Sequence, residues 1–215
     1  VFVEQLHRCG AIVASIHVES AALYRSLERF IRRREDEQEV NVLADVGLCR
    51  TQVVIGKGRE ISFIKTVDVG SHHFHEAISK KLGITLEEAR ALRRRLIEAA
   101  PGPAENLDSL RGDPVRQAVF DASRSIMEQL AREIALCLRY YSVTFRGQRP
   151  EIVRMHGGEA ADPMLLSVLG AGLAVPVEVA RPLFSVDTSR MDASDRMGFM
   201  GEWSMAWGRG LKLTT

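Results

Sequence analysis

The feature that most limits what this chain can become is the run Val40 to Ile55, VNVLADVGLCRTQVVI. Two stretches of apolar β-formers flank Asp45, Gly47 and a short polar turn, which predicts a strand, a tight turn and a second strand running back. Gly47 lacks a Cβ, so backbone amides there can approach an anion or a metal-bound phosphate closely, and a carboxylate at Asp45 can hold the metal. The same three-letter pattern also serves ordinary hairpins, where the glycine answers only to the turn. Lys57-Gly58-Arg59-Glu60 makes the next turn. Ile61 to Val67 then predicts a third strand with Ile61, Phe63 and Lys65 on one side, so the segment is an antiparallel three-stranded meander.

Helical patterns surround this meander. Val1 to Gly10 reads as the end of a helix closed by a glycine, Ala11 to His17 as a short strand, and Glu19 to Ile31 as a helix with Ala22, Leu23, Leu27, Phe30 and Ile31 at helical spacing. The mixed-sign run 32–37 marks a boundary rather than a binding patch. After the meander, Phe74, Ala77, Ile78 and Leu82 define one amphipathic helix. Thr85 and Glu88 form a capping box for a second helix, whose inner face is expected at Ala89, Leu92, Leu96 and Ala99 or Ala100. Pro101, Gly102 and Pro103 stop it. The longest helix spans Val115 to Tyr141, with a stripe of Val119, Ala122, Ile126, Leu130, Ile134, Leu138 and Tyr141. A strand from Glu151 to Met155, a His156-Gly157-Gly158-Glu159 turn, a helix from Pro163 to Leu173 and an edge strand at Pro176 to Val179 follow. Arg181 to Met200 reads as a polar loop, and Glu202 to Trp207 as a last helix.

Composition narrows the function classes. With 29 Lys and Arg against 28 Asp and Glu, the formal charge is +1, and no basic stripe interleaved with aromatics appears, so nucleic acid is not an expected partner. No run approaches the roughly 18 apolar residues of a membrane span. Cys9, Cys49 and Cys137 are widely spaced and fit a reducing compartment, hence an expected cytoplasmic location. The chain begins at Val1 inside a helical pattern and is expected to be the C-terminal part of a longer protein.

The order strand, Asp-x-Gly, strand, strand, two helices, long helix, strand, Gly-Gly, helix, strand resembles the second lobe of the actin-like (ribonuclease H-like) ATPase fold. More closely, the chain resembles the C-terminal half of the PilM family of type IV pilus assembly proteins, which is related to the division protein FtsA. The resemblance covers almost the whole chain. It rests on Val42-Leu43-Ala44-Asp45-Val46-Gly47, Asp68-Val69-Gly70-Ser71 leading to Ile78, Leu86-Glu87-Glu88-Ala89 and Met155-His156-Gly157-Gly158, with Gly10 to Ala22, including Ile16 and Glu19, similar to the segment closing the first lobe. It implies an α/β fold in which residues 1–39 end a first lobe and residues 40–215 form the second.

The resemblance further implies that ATP and Mg2+ are the cofactors. Asp45 would hold Mg2+, and Gly47 would face the β- and γ-phosphates. Gly70 and Ser71 stand where two glycines are usual, Gly157 and Gly158 would leave space for base or ribose, and Glu87, Glu88 and Arg93 lie on the helix bordering them. The implied partners are the cytoplasmic tail of a PilN-like inner-membrane protein and further copies of the chain, at the cytoplasmic face of the inner membrane. The first phosphate loop would belong to the missing half, so this chain alone would not complete the site.

Departures from the pattern weaken the nucleotide reading. Leu48, Cys49 and Arg50 replace small or hydroxylic residues, Arg90 replaces a glutamate, and Arg93 replaces a lysine. Glu159 is expected to bring a negative charge toward the phosphates, at a cost of roughly a few kcal/mol at ~4 Å. The alternative is therefore a nucleotide-free scaffold; a sugar or acid kinase lacks a visible carboxylate base on this half. Smaller features also divide. His72, His73 and His75 read as metal ligands or as a solvated helix start, Cys49 as a reactive thiol or a buried small residue on the second strand, and Asp45 with Glu19 as a hydrolytic pair or, for Glu19, a surface ion pair. Trp203 to Trp207 reads as a closing core helix or an exposed docking patch.

Overall fold

The computed structural model describes residues 2–13, 16–99, 113–145, 149–187 and 200–211. The expected helix stop at 101–103 and most of the 181–200 loop lie outside them. β1 (Val40–Val46), β2 (Thr51–Lys57) and β3 (Glu60–Val67) form the antiparallel meander. β4 (Ile152–His156) joins β1 in parallel and β5 (Val177–Val179) joins β4 in parallel, so the sheet runs β3-β2-β1-β4-β5. β1 is central, and its near-continuous apolar run follows from having both faces covered.

On one face lie α3 (Ser71–Leu82), α4 (Leu86–Glu98), α5 (Pro114–Thr144) and α6 (Pro163–Gly172). They close the larger core with Val42, Ala44, Val53, Ile55, Val153 and Met155 of the sheet. The stripe read on α5 packs there: Val119, Leu130 and Ile134 are fully buried. On the other face α2 (Glu19–Glu28) puts Leu23, Tyr24 and Leu27 against Leu43 and Val54. α7 (Ser204–Gly210), preceded by a 3-10 turn at Gly201–Trp203, packs on α2. The tryptophan segment is thus a closing helix.

Four local expectations are corrected. Residues 11–13 and 16–17 are not a strand: Ile12 and Ile16 are exposed, and no described strand lies beside them. Only α1 (Phe2–Arg8) forms there, ending at Gly10 with φ +79°. On β3, the register slips between Ile55 and Gly56, so Ser62 is an extra bulged residue. Ile61 therefore turns to the α2 side while Phe63 packs on the α5 side. On α4 Ala89 is buried and Leu92 and Leu96 pack on the core as expected, but Ala99 is exposed, and Arg93 and Ile97 are the other buried positions, because an arginine with buried partners occupies the centre of the face. Cys49 lies in the exposed turn before β2 rather than buried on the strand.

Gly208 sets the distance between α7 and α2, since a Cβ there would lie 1.7 Å from the carbonyl oxygen of Ala22. Gly208→Ala is predicted to push α7 off α2 and cost about 2 kcal/mol, the scale of an overpacked core. A lowered melting temperature with red-shifted tryptophan emission would show it, because both tryptophans, Trp203 and Trp207, belong to this segment.

Candidate functional site

The predicted glycine turns converge at the carboxyl ends of β1 and β4, the edge of an α/β sheet where ligands bind most often. Asp45 is the penultimate residue of β1 and stands opposite His156 in the parallel register. The chain leaves β4 through Gly157 at φ +91°, where a Cβ would lie 2.4 Å from Val46 O and 2.8 Å from Asp45 Oδ1. Only glycine fits, and it lays bare backbone against the carboxylate. Gly158 faces open space.

Asp45 is pushed up to about 6, first by burial and then by the negative charge of Glu19 on the first turn of α2. A divalent cation would relieve both penalties at once. Among the described residues no group of three or more His, Cys, Asp or Glu is arranged to hold a metal. Two carboxylates are few for a dedicated protein cage, but they suit Mg2+ that brings phosphate and water ligands with it. The site fits that group in its carboxylates and its open glycine.

The remaining predicted residues divide. Gly47 donates its N–H to Arg50 O at 2.9 Å, closing the hairpin turn. Ser71 N–H donates to Gly47 O at 3.0 Å and His72 N–H to Leu48 O at 2.8 Å. A Cβ on Gly70 would sit 2.6 Å from backbone atoms of Leu48, Cys49 and Arg50. Gly70 and Ser71 therefore hold the Asp45–Gly47 turn from behind, with the first amides of α3 taken up by that turn. Leu48 is exposed, and Arg50 meets Asp68 at 3.3 Å on open surface.

Arg93 does not border the opening: its side chain is fully buried. Nε donates to Asp162 Oδ2 at 3.2 Å, Nη2 also bonds Asp162, and Nη2 lies 2.8 Å from Glu159 Oε2. The guanidinium covers the Phe74 ring at 4.4 Å. Asp162 also accepts from Met164 N–H at 2.9 Å, capping α6. Glu159, expected to repel phosphates, is instead turned inward onto this arginine. His75, expected at a solvated helix start, is buried 3.7 Å from Glu159 and pushed down to about 4 by burial and then by Arg93. The histidines do not converge: His72 pairs with Glu76, and His73 Nδ1 accepts from Gly70 N–H.

The sequence assigns the His156 side chain no role. Ser204 Oγ donates to Gly201 O at 2.8 Å, so His156 Nδ1, 2.6 Å away, donates to that hydroxyl oxygen. Gly201 O also receives Gly157 N–H at 3.1 Å, so α7 is tied to the glycine turn. Burial pushes His156 down to about 3, which keeps it neutral. His156 stood in the motif that carries the resemblance, but nothing in the sequence linked it to Ser204 or Gly201, whereas Asp162 before Pro163 is a cap signal of the ordinary kind.

No protein-family model matches the chain, and no curated protein matches it. Solved structures do. This is the actin-like ATPase fold, an α/β architecture with a five-stranded mixed sheet. A PilM-PilN type IV pilus biogenesis complex is similar at TM-score 0.73 and 21% identity, over 96% of this chain and 55% of that one. The ethanolamine utilization protein EutJ from Carboxydothermus hydrogenoformans is similar at 0.62 and 14%, over 94% and 56%. MreB5 of Spiroplasma citri bound to ADP is similar at 0.62 and 11%, over 97% and 62%. The chain thus spans between 55% and 62% of these three structures.

Because the folded pKa of Asp45 lies above its unfolded value of 3.8, the native state keeps this proton longer as pH rises. The penalty is absent below about pH 4, grows between 4 and 6 and is complete above 6. Asp45→Asn is predicted to gain about 2 kcal/mol on the wild type between pH 4 and pH 7 in urea unfolding without added cation.

Proposed function

We propose that this chain is the second lobe of a PilM-like assembly factor that binds ATP with Mg2+, residues 1–39 ending the first lobe and 40–215 forming the second. The observation that carries the reading is Asp45, a carboxylate raised to about 6 by burial and Glu19 and faced by the bare backbone of Gly157. Asp45 would hold the cation, Gly47 would lie nearest the phosphates, and Gly158 would leave room for ribose or base. The cation would supply charge neutralisation of the phosphates. Glu19, near Asp45, is the residue to orient water, and slow hydrolysis or none suffices for a switch that works by lobe closure. Gly70, Ser71 and Arg93 support the turns without facing the nucleotide.

Nucleotide-bound relatives of the fold, such as MreB5 with ADP, support the cofactor, and the PilM-PilN complex supports a PilN-like tail as partner. A pilus role at the cytoplasmic face of the inner membrane and self-association extend that likeness. No helix among the described residues is long and apolar enough to cross a membrane, so attachment would run through the partner.

A second reading, a nucleotide-free scaffold, is favoured by one observation: the Ser71 and His72 amides are bonded to the hairpin and not available to phosphate. Calorimetry with Mg-ATP on the protein carrying both lobes separates the two. The switch predicts micromolar binding that weakens at least tenfold in Asp45→Ala, about 1.4 kcal/mol. Absence of binding to the wild type would leave the scaffold.

A further inference from the structure

The sheet has an edge that no described strand or helix covers. β3 pairs with β2 on one side only, and Glu60, Ile64, Lys65 and Thr66 are exposed. Beside it, α5 presents Leu136, Tyr140 and Val143 to solvent at a spacing of four and three residues, 51%, 57% and 74% exposed. Tyr140 lies 5.5 Å from the Phe63 ring, which places that apolar stripe next to the edge.

The side-chain order along β3 has a symmetry visible only once the bulge is known. With Ser62 set aside as the extra residue, the ladder opposite β2 reads Glu60, Ile61, Phe63, Ile64, Lys65, facing Lys57, Gly56, Ile55, Val54 and Val53. Reversed, the same order sets Glu60 against Lys65, Ile61 against Ile64 and Phe63 against itself. Directly opposed residues of an antiparallel pair share a face. The assignment satisfies this: Phe63 lies on the α5 side with Glu60 and Lys65, two ladder positions away on either side, and Ile61 and Ile64 lie on the α2 side with Val54. An edge lysine and a bulge ordinarily discourage pairing. Here the lysine meets a glutamate at the mirror position, and the bulge is what brings the two isoleucines to one face.

We propose that β3 is a self-association edge, and that a second copy of this chain pairs with it antiparallel about a two-fold axis at Phe63. The two sheets then form one ten-stranded sheet, with the Leu136–Tyr140–Val143 stripes of the two α5 helices flanking the join. No residue of the Asp45 site takes part, so the proposal stands apart from the nucleotide reading.

Sedimentation equilibrium on the chain tests it through charge reversal. The wild type should dimerise in the micromolar range, and Glu60→Lys or Lys65→Glu alone should weaken the dimer about tenfold or more, since each sets two like-charged pairs across the join. Mixing the two single variants should restore association as a heterodimer, because every pair is then opposite in charge. Unchanged melting temperatures would show that the exposed substitutions leave the fold intact. With Cys9 and Cys49 replaced by serine, Glu60→Cys combined with Lys65→Cys should give a disulfide-linked dimer that neither single cysteine gives. A strictly monomeric wild type, a dimer indifferent to both reversals, or no heterodimer on mixing would overturn the proposal.

Discussion

The structure depends on β1 being dry on both faces. Val42, Ala44 and Val46 are buried against α3 to α6, and Leu43 is buried against α2. A strand so placed cannot carry a charge along its length, and its first ionisable side chain is Asp45, one residue from its end. That carboxylate is still deep enough for burial to raise it to about 6. The fold therefore holds a partly desolvated negative group at the mouth of the sheet. Everything that keeps it there, from the hairpin stitched to α3 to the glycine laid against Oδ1, belongs to the backbone.

A second buried charge does the opposite work. Arg93 is fully enclosed but has two carboxylates, Glu159 and Asp162, and an aromatic face. Breaking such a cluster by removing one partner typically costs about 3–5 kcal/mol, because the other charge is left without compensation. The cluster pins α4 to the Gly157–Asp162 turn and draws Glu159 away from the opening. Its position makes the sequence pattern of the site misleading: the arginine that looks like a ligand contact acts from inside, and the glutamate that looks like an obstacle is held back by it.

Much of the architecture was legible because it follows from local rules. The Asp45–Gly47 hairpin, the Thr85–Glu88 capping box and the α5 stripe each declare themselves through period or turn chemistry, and the structure forms all three. What stayed hidden depends on residues distant in sequence. The Ser62 bulge changes which side of β3 faces the core, and no single-strand pattern announces it. Arg93 is read as exposed by any rule that equates charge with solvent, since its partners lie 66 and 69 positions later. Gly201 and Ser204 fix the glycine turn and His156 through bonds that cross some 45 residues of chain. The convergence of Asp45 with Gly157 could be expected from the fold resemblance, but the pressure of Glu19 on that carboxylate required the packed α2.

In the proposed reading Asp45 is a cation-seeking carboxylate, held above its ordinary range by burial and by Glu19. The most direct measurement is the NMR titration of the Asp45 side-chain carboxyl carbon, alone and with Mg-ATP, with the proposed first lobe present. The expected midpoint is near 6 without ligand and falls by at least one unit when Mg-ATP is added, as the cation replaces the proton. A midpoint near 4 in the free protein, or one that does not move with Mg-ATP, would contradict it.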